Sequence, residues 1–147
     1  KGKVRTIPSS EINFKYRTSN LPNDLIFLSG TFKGNLSEKE IIKKKIEELK
    51  NKKELSQPIR VKTSGSTFKN PIEQSKKKVW ELIRESVDIN ETNKLFGDAR
   101  VSEKHCNFLI NKEKATSKDM KNLINFIKES VYKKTGVNLE LEIVLTS

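Results

Sequence analysis

An α+β fold is what this sequence predicts, on three observations. Two segments, 38–53 and 117–135, carry apolar residues at helical spacing opposite lysine-rich faces. Two short runs have strand character, Phe108-Leu109-Ile110 and Leu139-Glu140-Leu141-Glu142-Ile143-Val144-Leu145. Helical and extended segments alternate only loosely, without the regular repeat of a parallel doubly wound sheet.

The elements follow in order. Val4 to Ile7 reads as a short strand closed by the turn Pro8-Ser9-Ser10, and Glu11 to Ser19 as loop or short helix around Tyr16-Arg17. Asp24 to Lys33 holds Leu25-Ile26-Phe27-Leu28-Ser29-Gly30-Thr31-Phe32, a strand candidate. Ser37 stands as N-cap with Glu40 at the third helical position, so a helix is predicted from Glu38 to about Lys53, with Ile41, Ile42, Ile46 and Leu49 on one face. Leu55 to Pro58 breaks it. Arg60 to Thr63 is extended and leads into a loop at Gly65. Lys76 to Ser86 reads as a helix with Val79, Trp80, Leu82 and Ile83 apolar, and Asp88 to Arg100 as a loop turning at Gly97. Phe108 to Ile110 is a strand bounded by asparagines. Thr116 or Ser117 caps a helix whose stripe is Leu123, Ile124, Ile127 and Val131, with Met120 one turn before Ile124. Gly136 stops it at the position where helices turn left-handed. The last strand begins at Leu139. No internal repeat is visible.

Composition bounds the function. The 147 residues suit one domain, or one domain with a piece of another. Hydrophobic and charged residues each make up 33%, and branched and aromatic residues recur throughout, which argues against wholesale disorder. No apolar stretch approaches the roughly 20 residues of a membrane-spanning helix. The net charge of +11 would suit nucleic acid, an anionic surface or a phosphorylated metabolite. Of the 30 basic residues only five are Arg (Arg5, Arg17, Arg60, Arg84, Arg100), and Arg is the better fork for phosphates and base edges. The lysines are spread along polar helix faces. No specific nucleic-acid or membrane partner is therefore expected, although nonspecific polyanion binding stays open. One Cys and one His allow no internal disulfide, and they assemble neither a zinc site nor a Cys-His triad. Cys106 reads as a small core residue and His105 as a structural hydrogen-bonder. A reducing compartment fits, and no metal is expected.

The densest chemistry lies in Gly65-Ser66-Thr67-Phe68-Lys69-Asn70-Pro71. A glycine lets the backbone approach a ligand; hydroxyl, ammonium and carboxamide follow within five residues. The run fits an anionic, oxygen-rich ligand, but taken alone it reads first as a polar loop closed by proline.

This run stands in a series. Phe14-Lys15-Tyr16-Arg17-Thr18-Ser19 and Gln57-Pro58-Ile59-Arg60 precede it. Val101-Ser102-Glu103-Lys104-His105-Cys106-Asn107-Phe108-Leu109-Ile110-Asn111 and Gly136-Val137-Asn138-Leu139-Glu140-Leu141-Glu142-Ile143 follow. In this order, over nearly the whole chain, the series resembles the UDP-N-acetylenolpyruvoylglucosamine reductase family. One departure stands out: where relatives carry an Ala-Gly-x-x-Gly turn after the Trp-Glu-Leu-Ile helix, this chain has Glu85 to Asn93 without glycine.

The resemblance implies a C-terminal portion of that reductase: residues 1–57 as the tail of an FAD-binding domain, and 58–147 as a UDP-sugar substrate-binding domain. It implies reduction of UDP-N-acetylglucosamine enolpyruvate to UDP-N-acetylmuramate with NADPH and FAD, for peptidoglycan precursor synthesis in the cytoplasm, by a monomer. No motif separates NADPH from NADH. Ser66 matches the proton donor, Arg17 the carboxylate-holding arginine and Glu142 the catalytic glutamate; Tyr16, Lys69 and Asn70 match substrate contacts. For four of them a plain alternative stands: a turn serine at Ser66, a surface ion pair at Arg17, a solvent-facing strand residue at Glu142, and a tyrosine filling the local core at Tyr16. The main flavin contacts are expected outside these residues, so the isolated chain should be inactive. The rival readings are a basic binding module without catalysis and a degenerate remnant.

Overall fold

The computed structural model of the chain describes residues 2–145. Contacts divide it into two units, Lys1–Ser37 and Glu38–Ser147.

In the first unit Pro8 opens a single 3-10 turn, Ser9–Glu11, closed by the Glu11 amide on the Pro8 carbonyl at 3.0 Å. A two-residue hairpin follows: β1 (Phe14–Lys15) pairs antiparallel with β2 (Thr18–Ser19), and Lys15 lies opposite Thr18. Tyr16 and Arg17 are therefore the turn. The Asn20 carboxamide closes the base, accepting from the Asn13 amide at 2.8 Å and donating to the Glu11 carbonyl at 3.1 Å. Neither the strand expected at Val4–Ile7 nor the one expected at Asp24–Lys33 forms. A strand needs a partner ladder for its main-chain groups. Among the described residues of this unit only β1 and β2 pair, and Ile26, Phe27, Leu28 and Phe32 stay exposed.

The second unit opens with α1 (Lys39–Ser56). Its N-cap is Glu38, one residue past the expected Ser37, and no side chain caps it. It runs three residues beyond the predicted end and stops at Gln57, because a residue before proline avoids helical backbone. The stripe Ile41, Ile42, Ile46 and Leu49 is present and exposed. Next come β3 (Lys62–Ser66), α2 (Val79–Ser86), the single-turn α3 (Ile89–Thr92), β4 (Ala99–Val101), β5 (Phe108–Asn111) and α4 (Ser117–Thr135). Helix α2 starts three residues later than expected, since Ser75 Oγ takes the Lys77 amide at 3.0 Å and holds that stretch in a turn. The segment read as loop, 88–100, holds α3, capped by Asp88 on the Glu91 amide at 3.1 Å, and the start of β4. Helix α4 follows the prediction: Thr116 caps it, and Gly136 sits at φ 73° just beyond its end.

The sheet is antiparallel in the order β3-β5-β4. Helices α2 and α4 close over one side of it. Leu82 and Ile83 meet Leu123, Ile124, Ile127 and Val131, with Ala99, Val101, Leu109, Phe68 and Leu139 completing the core. Cys106 is buried in that core as a free thiol. The last predicted strand is reduced to one bridge, Leu141 opposite Phe68, and the chain bends after it.

Short strands leave many main-chain groups to be tied by other means. Among the described residues four carboxamides do this, each accepting the N–H and donating to the C=O of a single residue. Asn93 holds Val101 (2.7 and 3.1 Å), Asn107 holds Phe68 (both 2.9 Å), Asn111 holds Ala115 (2.9 and 3.0 Å) and Gln74 holds Asn138 (2.9 and 3.1 Å). Each ring reproduces one rung of a ladder where no strand stands alongside.

Candidate functional site

The site is built on the end of β3. Gly65, at φ 88°, takes a conformation that side chains resist, and the register of β3 against β5 shifts between Thr63 and Ser66. The strand is re-aimed there, and Ser66 comes opposite Phe108. Its residue is half-buried.

Beyond Ser66 the chain is gripped from both edges. On one edge the Thr67 amide donates to the Asn107 carbonyl at 2.8 Å, and the Asn107 carboxamide holds Phe68. On the other, the Glu142 amide donates to the Thr67 carbonyl and the Lys69 amide to the Glu140 carbonyl, both at 2.9 Å. Ser66, Lys69, Asn70 and Glu142 are thereby drawn into one neighbourhood, with Glu142 paired beside the residue that follows Ser66.

Each predicted residue also does local work. Lys69 Nζ stands 3.4 Å from Glu140 Oε2, an exposed pair, so part of its charge is already answered. Asn70 Oδ1 accepts from the Val79 amide at 3.0 Å and so caps α2 from outside the helix. Glu142 is half-buried and Glu140 exposed. Thr67 is fully buried, and among the described residues no partner reaches its hydroxyl.

Tyr16 and Arg17 lie in the other unit. Arg17 has φ 57° where turns of this kind take Gly or Asn, and its guanidinium carbon stands 5.6 Å from the Tyr16 ring centre. A non-glycine residue in that region bears strain, and strain concentrates at functional positions.

His105 borders the neighbourhood. It meets Phe108 edge-on at 4.9 Å and Trp80 at 6.5 Å, and its Nδ1 accepts the Asn107 amide at 3.3 Å. Burial holds its pKa below the ordinary value, against a smaller upward push from a backbone hydrogen bond. It is a neutral, hydrogen-bonding side chain at neutral pH. A shallow groove of about 580 Å³ between α3, β4 and β5, lined by Asn90, Lys94, Arg100 and Lys112 among others, contains none of the predicted residues. Among the described residues no group of three His, Cys, Asp or Glu could hold a metal ion, and no helix is long and apolar enough to cross a membrane.

In the sequence Asn107, Thr67 and Asn138 stand within the quoted runs with no catalytic or binding role assigned, and Gln74 lies outside them. Asparagine disfavours strand positions, so Asn107 inside a strand-like apolar segment was the available signal.

Comparisons with known proteins agree on one family. The family model described as the UDP-N-acetylenolpyruvoylglucosamine reductase C-terminal domain matches residues 57–146. The protein named UDP-N-acetylenolpyruvoylglucosamine reductase from Pelagibacter ubique is 56% identical over 142 residues, which are 97% of this chain and 46% of that protein. Its namesake from Rickettsia akari is 43% identical over the same shares. The crystal structure of the reductase from Thermus caldophilus matches with a TM-score of 0.65 and 32% identity, over 90% of this chain and 45% of that one. The chain thus spans about half the length of the curated relatives it matches.

Proposed function

The chain belongs to the UDP-N-acetylenolpyruvoylglucosamine reductase family, and we propose that it supplies the substrate-handling half of such an enzyme. The reaction is reduction of UDP-N-acetylglucosamine enolpyruvate to UDP-N-acetylmuramate. One observation carries the reading: the grip on Thr67–Lys69, which sets a hydroxyl, an ammonium and a carboxylate along adjoining stretches of chain.

The donor set fits the sugar nucleotide. A guanidinium at Arg17 suits the enolpyruvyl carboxylate, since it binds bidentately and stays charged. Lys69 and Asn70 suit the diphosphate end, with Lys69 shared with Glu140. For FAD the same set would offer Ser66 and Glu142 as contacts. It does not extend to the rest of that cofactor, whose binding we assign to residues outside this chain. When bound, the flavin, reduced by NADPH, supplies hydride to one carbon of the enol ether.

The chain's own residues handle charge and proton. As hydride arrives, negative charge grows beside the carboxylate, and Arg17 offsets it. Ser66 gives its hydroxyl proton to the other carbon, so that two C–H bonds form as the C=C double bond becomes single. A serine hydroxyl is a weak acid, adequate only for an acceptor as basic as an enolate carbon. Glu142 orients the substrate or the serine. We further propose that residues 1–57 belong to the flavin domain and 58–147 to the substrate domain. The exposed apolar residues of 25–32 and of α1 support this, as surface that a larger protein would cover.

The test is Ser66→Ala in the full natural chain. Flavin reduction by NADPH should stay near the unaltered rate, while reoxidation by the enolpyruvyl substrate should slow by about 10²–10⁴-fold. Equal slowing of both half-reactions would assign the serine to folding and overturn the reading.

A further inference from the structure

We propose that Asn107 is a positioning residue for this chemistry, acting on Ser66 and Lys69 through the main chain of Phe68. The inference rests on the reading of Ser66 and Lys69 given above.

Asn107 is nearly fully buried, at 4% exposure, and so is Phe68, at 1%. Three hydrogen bonds run from this one residue to Thr67 and Phe68: carbonyl to the Thr67 amide at 2.8 Å, Oδ1 to the Phe68 amide and Nδ2 to the Phe68 carbonyl at 2.9 Å. They take over where the β3–β5 ladder fails, since the last β3 partner is Ser66 opposite Phe108. The opposite edge of Thr67–Lys69 is held by Glu140 and Glu142. The segment therefore has one registered position, and that position sets where Ser66 and Lys69 stand relative to Glu142.

A carboxamide is required for this. It offers a donor and an acceptor in one plane at ladder spacing. A carboxylate of the same shape lacks the donor and would set an oxygen against the buried Phe68 carbonyl. The segment would shift to escape that contact, and a misplacement of about 1 Å at a reacting group costs about 10²-fold in rate.

The molecule contains its own control. Asn111 makes the same two-bond ring on Ala115, and it stands opposite Lys62, at the other end of the β3–β5 ladder from Ser66. Asn107→Asp and Asn111→Asp remove equivalent rings, and only the first touches the Ser66 segment.

The experiment compares these two variants in the full natural chain, by stopped-flow reduction with NADPH and reoxidation with the enolpyruvyl substrate. Asn107→Asp should slow reoxidation by about 10²-fold and leave reduction within about twofold. Its deficit should narrow from about pH 8 to about pH 6, because a buried carboxyl facing a carbonyl has a raised pKa and regains an O–H donor when protonated. His105, which accepts the Asn107 amide, and the Lys69–Glu140 pair lie nearby, so each rate is taken relative to the unaltered protein at the same pH. Asn111→Asp should keep both half-reactions. Equal slowing in the two variants, or a deficit indifferent to pH, overturns the proposal. If Asn107→Asp does not fold, Asn107→Ser takes its place, with the same split in half-reactions and no rescue by acid. If the unaltered protein does not turn over this substrate, the functional reading falls, and amide chemical shifts decide the positioning alone. Those of Ser66 and Lys69 should move in Asn107→Asp and not in Asn111→Asp; their constancy overturns it.

Discussion

Arg17 and the pair Glu140/Glu142 are the single residues at which a structural role and the proposed chemical one can be told apart. Arg17 sits at φ 57°, a conformation glycine adopts without penalty. Arg17→Gly should keep the Lys15–Thr18 hairpin and strengthen it by about 1 kcal/mol, as release from left-handed backbone allows. In the full natural chain it should abolish substrate turnover. Cross-strand NMR contacts and rate measurements check the two halves, and loss of the hairpin would show that the arginine is there for the turn. Glu140 is exposed, with 72% of its side chain open to solvent, and pairs with Lys69 across the bridge. Glu140→Gln should change stability by less than about 0.5 kcal/mol. Glu142→Gln should depress reoxidation strongly while the melting temperature stays nearly constant. A dead Glu140→Gln beside an active Glu142→Gln would reverse the assignment of roles between these two carboxylates.

Among the elements, those the sequence foretold are those made by local chemistry. Helix α4 carries its own start and stop: the Thr116 hydroxyl accepts the Asp119 amide at 3.1 Å, and Asp119 returns a bond to the Thr116 amide at 2.9 Å. The Thr116 hydroxyl also donates to Asp119 Oδ2 at 2.7 Å, and this bond first, then the one from the Thr116 amide, lowers the Asp119 pKa. Thr116→Ala should cost about 1 kcal/mol in chemical denaturation. Gly136→Ala should cost a similar amount, about 1–2 kcal/mol, from backbone alone, since nothing stands within 4 Å of the added carbon. Apart from the single turn α3, which Asp88 caps locally on the Glu91 amide, the elements misread were non-local. Val4–Ile7 and Asp24–Lys33 have strand composition without partners among the described residues of their unit, while the tail from Leu139 finds only the Phe68 bridge. Conversely, β4 is held partly by Asn93 on Val101. Asn107 beside the apolar run 108–110 signals a polar side chain held in the interior, but nothing in the sequence names Phe68, 39 residues away, as its partner. The loop Ser66–Asn70 was therefore legible as a polar stretch suited to a ligand, and the grip of Asn107 on it was not.

At the scale of the whole molecule, stability should track one histidine as acid is added. The His105 pKa lies below the ordinary value of 6.5 in the fold, chiefly through burial. The unfolded chain then binds more protons in the interval between the two values. Stability is full above about pH 6.5 and falls as pH drops through the folded value. Replacing His105 with Gln should flatten that limb of the melting-temperature profile; an unchanged slope would place the acid sensitivity elsewhere. Exposure should also govern proteolysis. Residues of 2–56 are almost all exposed, whereas the core is drawn from residues beyond Gln57. Limited trypsin digestion of the 147-residue chain is expected to cut first among the lysines of α1 and to leave a resistant piece beginning near Arg60. First cuts within α4 would contradict this. The four carboxamide rings carry one last consequence, for endurance under heat. Amide side chains are among the thermolabile ones. Slow hydrolysis of any of these four turns a donor into an acceptor and sets it against a main-chain carbonyl. Prolonged warming should therefore leave a fraction of chains that melts at a lower temperature on a second scan, and peptide mass mapping should find the one-dalton gains at Gln74, Asn93, Asn107 and Asn111 in that fraction.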